Sequence, residues 1–85
     1  MKTDERSASA EKELLCEERR ELLGEIAIYR LIRKKGAFSV RIEYREDYAQ
    51  CVLGEDEDKA RRVFTKISEG TVTPCTLEYI AAELL

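Results

Sequence analysis

The stretch Ala37-Phe38-Ser39-Val40-Arg41-Ile42-Glu43-Tyr44-Arg45 lies near the middle of the chain, and from Phe38 onward its apolar and polar side chains alternate strictly. Successive side chains of a β-strand point to opposite faces, so this period of two places the aromatic and β-branched residues together on one face. The opposite face carries a serine and charged groups. We therefore predict a half-exposed strand over residues 37–45.

Two further strands flank this one. Residues 25–33 contain three isoleucines and a tyrosine, a composition that favours a strand with apolar side chains on both faces. Lys34-Lys35-Gly36 and Glu46-Asp47 have the composition of turns, and residues 48–53 predict a third strand. Because both connections are short, we expect a three-stranded antiparallel meander.

The segment before these strands has a different composition. Residues 9–23 are good helix formers, and Ser7 or Ser9 can cap a helix start. The apolar residues of this segment form only a narrow stripe. We expect a flexible N-terminus at residues 1–8 and a loosely attached helix at residues 9–23, within a single domain over residues 9–85.

The C-terminal third predicts two helices. Residues 57–69 carry an apolar stripe at the helical spacing, and we expect Gly70 to end this helix in the left-handed conformation. Thr73-Pro74 fits a cap followed by proline at the first helical position, which predicts a last helix reaching Leu85. The acidic run at residues 55–58 lies where carboxylates cap and stabilise a helix start.

These elements define an expected α+β fold: an N-terminal helix, a three-stranded antiparallel β-meander, and two C-terminal helices packed on one face of the sheet. The predicted core takes the apolar residues that we assign to the inward faces. They are Ile26, Ile28, Phe38, Val40, Ile42, Val52, Ala60, Val63, Phe64, Ile67, Leu77, Ile80 and Leu84.

The amino-acid composition argues against several classes of function. Among the 85 residues there is no histidine, so the usual general base and the commonest zinc ligand are both missing. The three cysteines are widely spaced, which predicts free thiols rather than a disulfide framework. The charged start is followed by no hydrophobic signal core, so we expect a cytoplasmic protein without membrane contact. We expect no catalysis, no cofactor and no metal site.

Cys75 is the most reactive-looking of the thiols, because the start of a helix stabilises a thiolate. No histidine is available to pair with it, and no second cysteine lies two residues away. Free cysteine is among the most buried residue types, so we favour a core position for Cys75.

Charge is distributed in blocks along the chain. Residues 26–45 carry six basic groups and one acidic group, whereas residues 1–25 carry five basic and eight acidic groups. Such blocks can attract each other within a fold or present charged faces to a partner. We predict a partner-binding surface on the basic hairpin, formed by Arg30, Arg33, Lys34, Lys35, Arg41 and Arg45. The alternative is a solvated hairpin whose lysines and arginines discourage edge-to-edge pairing.

The C-terminal part also carries a resemblance. Tyr29-Arg30-Leu31-Ile32 and the closing stretch from Gly70 to Leu77, followed by a helix that ends in Glu83-Leu84-Leu85, are similar to a small domain-of-unknown-function family. That family occurs mostly in spore-forming anaerobic bacteria of the Firmicutes. It typically has an apolar residue and a histidine where Cys75 and Thr76 stand in this chain. The resemblance implies a strand meander followed by helices, and it implies no activity.

We therefore expect a small non-enzymatic regulator or inhibitor that binds a larger bacterial protein through the charged hairpin or the N-terminal helix. Two alternatives stay open. One is an inhibitor of a nucleic-acid-handling enzyme, of the anti-CRISPR type, and the other is nucleic-acid binding by the basic hairpin. The thin helix stripe and the open meander also predict a homodimer.

Overall fold

The structure is a computed structural model that describes residues 12–85, in which four strands are followed by two helices. The elements are β1 (Lys12–Leu22), β2 (Glu25–Lys34), β3 (Ala37–Tyr44), β4 (Asp47–Gly54), α1 (Glu57–Glu69) and α2 (Leu77–Leu84), with a 3₁₀ turn at Pro74–Thr76 before α2. The strands form one antiparallel sheet in the order β1-β2-β3-β4.

The predicted architecture is wrong at its N-terminal end. Residues 12–22 form β1 instead of a helix, so the sheet has four strands rather than three. Intrinsic helix propensity is a small energy term, and pairing with a neighbouring strand overrides it. Here β1 pairs along its whole length with β2, apart from one bulge between Leu14 and Cys16. The predictions for residues 1–8 and 9–11 lie outside the described residues.

A tight turn makes this pairing feasible. Leu23 and Gly24 connect β1 to β2 with φ values of +54° and +84°. Positive φ at both central residues gives the twist that a two-residue hairpin needs. Leucine is an unusual residue in that conformation. The sequence therefore lacks the Asn-Gly or Asp-Gly signature by which such a turn is recognised.

The other elements lie close to their predicted positions. The strands predicted at 25–33, 37–45 and 48–53 correspond to β2, β3 and β4 within a residue or so, and the helix predicted at 57–69 is α1. Asp56 caps α1 by accepting a hydrogen bond from the backbone N–H of Lys59 at 3.2 Å. Gly70 is not left-handed (φ −84°); Thr71 takes that conformation instead, with φ +49°.

Both helices pack on one face of the sheet and enclose a single core. Strand register places Tyr29 opposite Ile42 and Leu31 opposite Val40, and all four side chains are buried. The helices contribute Ala60, Val63, Phe64, Ile67, Leu77 and Ala81. The Tyr29 hydroxyl donates to the Val72 carbonyl oxygen at 2.9 Å, which fastens the segment after α1 to the middle of the sheet.

Part of the predicted core lies outside it. Ile26 and Val52 are 53% and 61% exposed, and Ile28 is only half-buried. In β2 the residues aligned with the buried face of β3 are Ala27, Tyr29 and Leu31 rather than the isoleucines. In β4 an irregularity near Gly54 turns Leu53, not Val52, into the core.

No helix within residues 12–85 is long and apolar enough to cross a membrane.

Candidate functional site

The sheet face opposite the helices, hereafter the open face, is the most distinctive surface of the described chain. It consists of the even-numbered residues of β2 and β4, the odd-numbered residues of β3, and the β1 residues paired with the open-face positions of β2. Four large apolar side chains on this face are more than half exposed. They are Leu14, Ile26, Tyr48 and Val52.

A ladder of charged side chains crosses the open face. Arg30 of β2 donates from Nε to Glu17 of β1 at 3.1 Å and from Nη1 to Glu43 of β3 at 2.9 Å. Glu43 also accepts from Nε of Arg41 at 3.0 Å through the same oxygen. The Arg41 guanidinium lies 4.2 Å from the centre of the Tyr48 ring, so the ladder reaches β4.

Strand register explains this arrangement. Arg30 and Arg41 are directly opposite each other, and like charges in such pairs are destabilising. The carboxylates of Glu17 and Glu43 flank the pair and compensate its charge. The pair of arginines at the centre of the hairpin is thus compensated within the fold, by Glu17 of β1 and by Glu43 of β3.

These contacts alter the titration of the carboxyl groups. Hydrogen bonds from Arg30 and then Arg19 hold the pKa of Glu17 below its ordinary value. The hydrogen bond from Arg41, followed by the charge of Arg30, lowers the pKa of Glu43. The hydrogen bond to Glu17 raises the pKa of Arg30 despite its partial desolvation. The ladder therefore keeps its charges when the pH falls moderately.

A shallow cleft of about 400 Å³ opens at one end of the open face. Leu14 and the buried Ile32 give it an apolar lining, and Lys12, Arg30, Arg41 and Glu43 complete the wall. Lys12 is the register partner of Lys34. The side of the cleft nearest the β2–β3 turn is therefore basic, and neither lysine forms a salt bridge within the described residues.

The six sequence-predicted partner-binding residues do not form one patch. Arg30 and Arg41 lie in the charged ladder, and Arg33 pairs with Glu13 of β1. Lys34 and Lys35 lie at the β2–β3 turn. Arg45 is at the other end of β3, roughly 25 Å away along the strand, where it stacks near Tyr44. Of the six, Lys34 lies beside the cleft as the register partner of Lys12, and Lys35 follows it in the β2–β3 turn.

Cys75 is exposed, so the core position favoured for it is wrong. The last helix begins as a 3₁₀ turn, and this turn holds Cys75 at the surface beside a second cleft of about 450 Å³. Its thiol lies 3.4 Å from the Thr73 hydroxyl, which supplies no base. Within residues 12–85, no three Cys, Asp or Glu side chains come together in a group that could hold a metal ion.

Sequence reasoning missed Glu13, Glu17 and Leu14, because it assigned them to a helix. The available signal was the position of two glutamates, because antiparallel pairing of residues 12–22 with residues 25–34 sets Glu17 opposite Arg30 and Glu13 opposite Arg33. It also missed Tyr48, whose ring the Arg41 guanidinium covers.

Comparison with protein families, with curated proteins and with solved structures finds no match for this chain.

Proposed function

We propose that this chain is a non-enzymatic protein-binding module that regulates or inhibits a larger bacterial protein by docking its open face on an acidic surface of that partner. The observation that carries the proposal is the combination of the Leu14–Ile32 cleft with the lysines around it. We place this activity in the cytoplasm.

The chemistry of the open face suits a protein surface. Arginine and tyrosine are enriched at protein interfaces, and buried anchors in well-packed pockets supply most of the binding energy. The Leu14–Ile32 cleft can accept one apolar side chain of a partner. Lys12 and its register partner Lys34 then lie where acidic neighbours of that side chain would approach, and their charge raises the association rate.

Nucleic-acid binding by the hairpin receives less support. Phosphate binding requires basic groups that release counterions on contact. In this chain Arg30 and Arg41 already pair with Glu17 and Glu43, and those carboxylates repel phosphate along the middle of the open face. Arg33 pairs with Glu13 on the opposite face.

Matched variants test the proposal. The immobilised full chain would be used to recover partners from a lysate of the native host at physiological salt, and the recovered protein would then be purified for affinity measurements. Leu14→Ser and Lys34→Glu should each weaken binding by about tenfold, the loss of one anchor or one charge contact. Tyr79→Ser and Arg62→Glu are the controls, since they change an exposed apolar and an exposed basic residue on the helices.

Two results would contradict the proposal. One is a partner that binds the Leu14→Ser and Lys34→Glu variants as well as the wild type. The other is salt-sensitive binding of duplex DNA that the Lys34→Glu variant loses, which would favour the nucleic-acid alternative.

A further inference from the structure

The two edges of the sheet differ sharply in composition. β1 carries seven charged side chains among its 11 residues and contains a bulge, and charged side chains and bulges discourage pairing with another strand. β4 has a single charged residue, Asp47 at its start, and contains neither lysine nor proline. Its remaining residues, Tyr48 to Gly54, are uncharged. Within the described chain β4 pairs on one side only, with β3.

An uncharged edge strand presents a row of unpaired backbone N–H and C=O groups, which is a template for another strand. The one irregularity of β4 lies near Gly54, beyond residues 48–52. We propose that β4 pairs antiparallel with β4 of a second copy about a two-fold axis at Gln50, which joins two sheets into one sheet of eight strands. This interface is separate from the Leu14–Ile32 cleft.

The register follows from which residues share a face. A two-fold axis perpendicular to the sheet pairs two strands antiparallel and keeps both open faces on one side. Opposed residues then share a face, so the axis passes through a residue of β4. An axis at Gln50 places Tyr48 opposite the partner's Val52 on the open face, and this pair occurs twice.

The pairs formed in this register are favourable ones. Tyr48 and Val52 are 63% and 61% exposed, and an aromatic residue opposite a β-branched residue stabilises a sheet. Gln50 meets the partner's Gln50, and the small Ala49 meets the partner's Cys51. No charged residues are opposed between positions 48 and 52.

The two neighbouring registers form less favourable side-chain pairs. An axis at Ala49 sets Tyr48 against the partner's Gln50 and leaves Val52 opposite residue 46, a turn residue. An axis at Cys51 sets Tyr48 against the partner's Gly54. Only the axis at Gln50 covers both exposed apolar residues of β4 with each other.

A charge exchange at the axis tests the proposal. Gln50 is exposed, and its side-chain oxygen accepts a bond from Arg41 at 3.4 Å that a glutamate can also accept. Gln50→Glu and Gln50→Lys each place two like charges opposite each other, about 5 Å apart between Cβ atoms. We expect each variant alone to raise the dimer dissociation constant by about tenfold in sedimentation equilibrium.

An equimolar mixture of the two variants should restore the dimer, because the glutamate introduced in one copy then opposes the lysine introduced in the other. This recovery also shows that the single variants are folded. Glu21→Gln is the control, since it changes the charge by one unit on the exposed opposite edge strand and should leave the dissociation constant unchanged.

Three outcomes would overturn the inference: a wild-type chain that stays monomeric into the millimolar range, Gln50 variants that dimerise like the wild type, or a mixture that dimerises no better than its components. All three are independent of whether Leu14→Ser and Lys34→Glu affect partner binding.

Discussion

Glu43→Gln tests the charged ladder most directly. The Glu43 carboxylate accepts hydrogen bonds of 2.9 and 3.0 Å from Arg30 and Arg41, two arginines that lie opposite each other on neighbouring strands. The glutamine keeps the shape of the side chain and can still accept through its oxygen. It removes the negative charge that compensates both guanidinium groups.

The size of the effect follows from exposure. An exposed ion pair contributes about 0.2–1 kcal/mol, and charge-assisted hydrogen bonds are the stronger ones. Glu43 serves two arginines, its side chain is 34% exposed, and its neutralisation leaves the opposed arginines less compensated. We expect a loss of about 1.5 kcal/mol in the free energy of unfolding at neutral pH. For a domain of this size that lowers the melting temperature by roughly 6–12 °C.

The pH dependence separates charge from packing. Because the pKa of Glu43 is lowered in the folded state, its contribution is complete above the ordinary value of 4.5 and is lost as the pH falls through the folded-state pKa. The stability difference between wild type and Glu43→Gln should therefore shrink in acid. Urea unfolding followed by circular dichroism at neutral and acidic pH measures it.

Glu21→Gln serves as the control, because Glu21 lies on the exposed edge strand and forms no salt bridge within the described residues. It should change stability by less than about 0.5 kcal/mol. A Glu43→Gln variant as stable as this control would show that the ladder does not stabilise the fold. A stability difference between wild type and Glu43→Gln that persists in strong acid would show that the effect is not electrostatic.

Three further outcomes are expected. Tyr29→Phe removes the hydroxyl that donates to the Val72 carbonyl and should cost about 1–2 kcal/mol in urea unfolding, with the exposed Tyr48→Phe as its control. Leu23→Asn should raise the melting temperature, because asparagine tolerates the φ of +54° better than leucine and the position is exposed; a lower melting temperature would contradict the turn geometry. Iodoacetamide should modify the exposed Cys75 before the half-buried Cys51, because burial raises the pKa of the Cys51 thiol. Peptide mass spectrometry of a time course measures the order, and the reverse order would contradict the exposed position of Cys75 and the burial of Cys51.

The C-terminal two-thirds of the fold could be predicted because its local signals agree with its tertiary structure. Three local patterns each favour a single structure: the alternation in β3, the Lys35-Gly36 turn and the apolar stripe of α1. Asp56 also lies at the start of α1, where its capping role is visible in the sequence.

β1 could not be predicted from local signals. Its residues favour a helix in isolation, and its strand conformation depends on pairing with residues 25–34 across a turn that begins with leucine. The prediction of which face of β2 is buried was wrong for a related reason. β2 is apolar on both faces, so only its register with β3 decides that Tyr29 and Leu31 are buried while Ile26 is exposed.

The candidate site depends on the same long-range pairing. Six basic residues in one hairpin indicate a basic binding surface only while β1 is taken for a separate helix. Once β1 lies beside β2, Glu13 and Glu17 pair with Arg33 and Arg30. Together with Arg41, which pairs with Glu43, half of the six basic residues form salt bridges within the sheet.

The acidic strand β1 consequently has two effects on binding. Its Glu17 pairs with Arg30, which occupies that arginine with a carboxylate instead of a phosphate, and its Leu14 adds an apolar side chain to the cleft that Ile32 lines. Glu43 of β3 already bridges the opposed Arg30 and Arg41, and Glu17 of β1 adds a second carboxylate to Arg30. β1 therefore adds to the stability of the β2–β3 hairpin and supplies one wall of the cleft. A surface that is neutral at its centre and basic at one end favours a partner whose acidic residues lie opposite the basic end. A uniformly basic hairpin would not distinguish where the acidic residues of the partner lie.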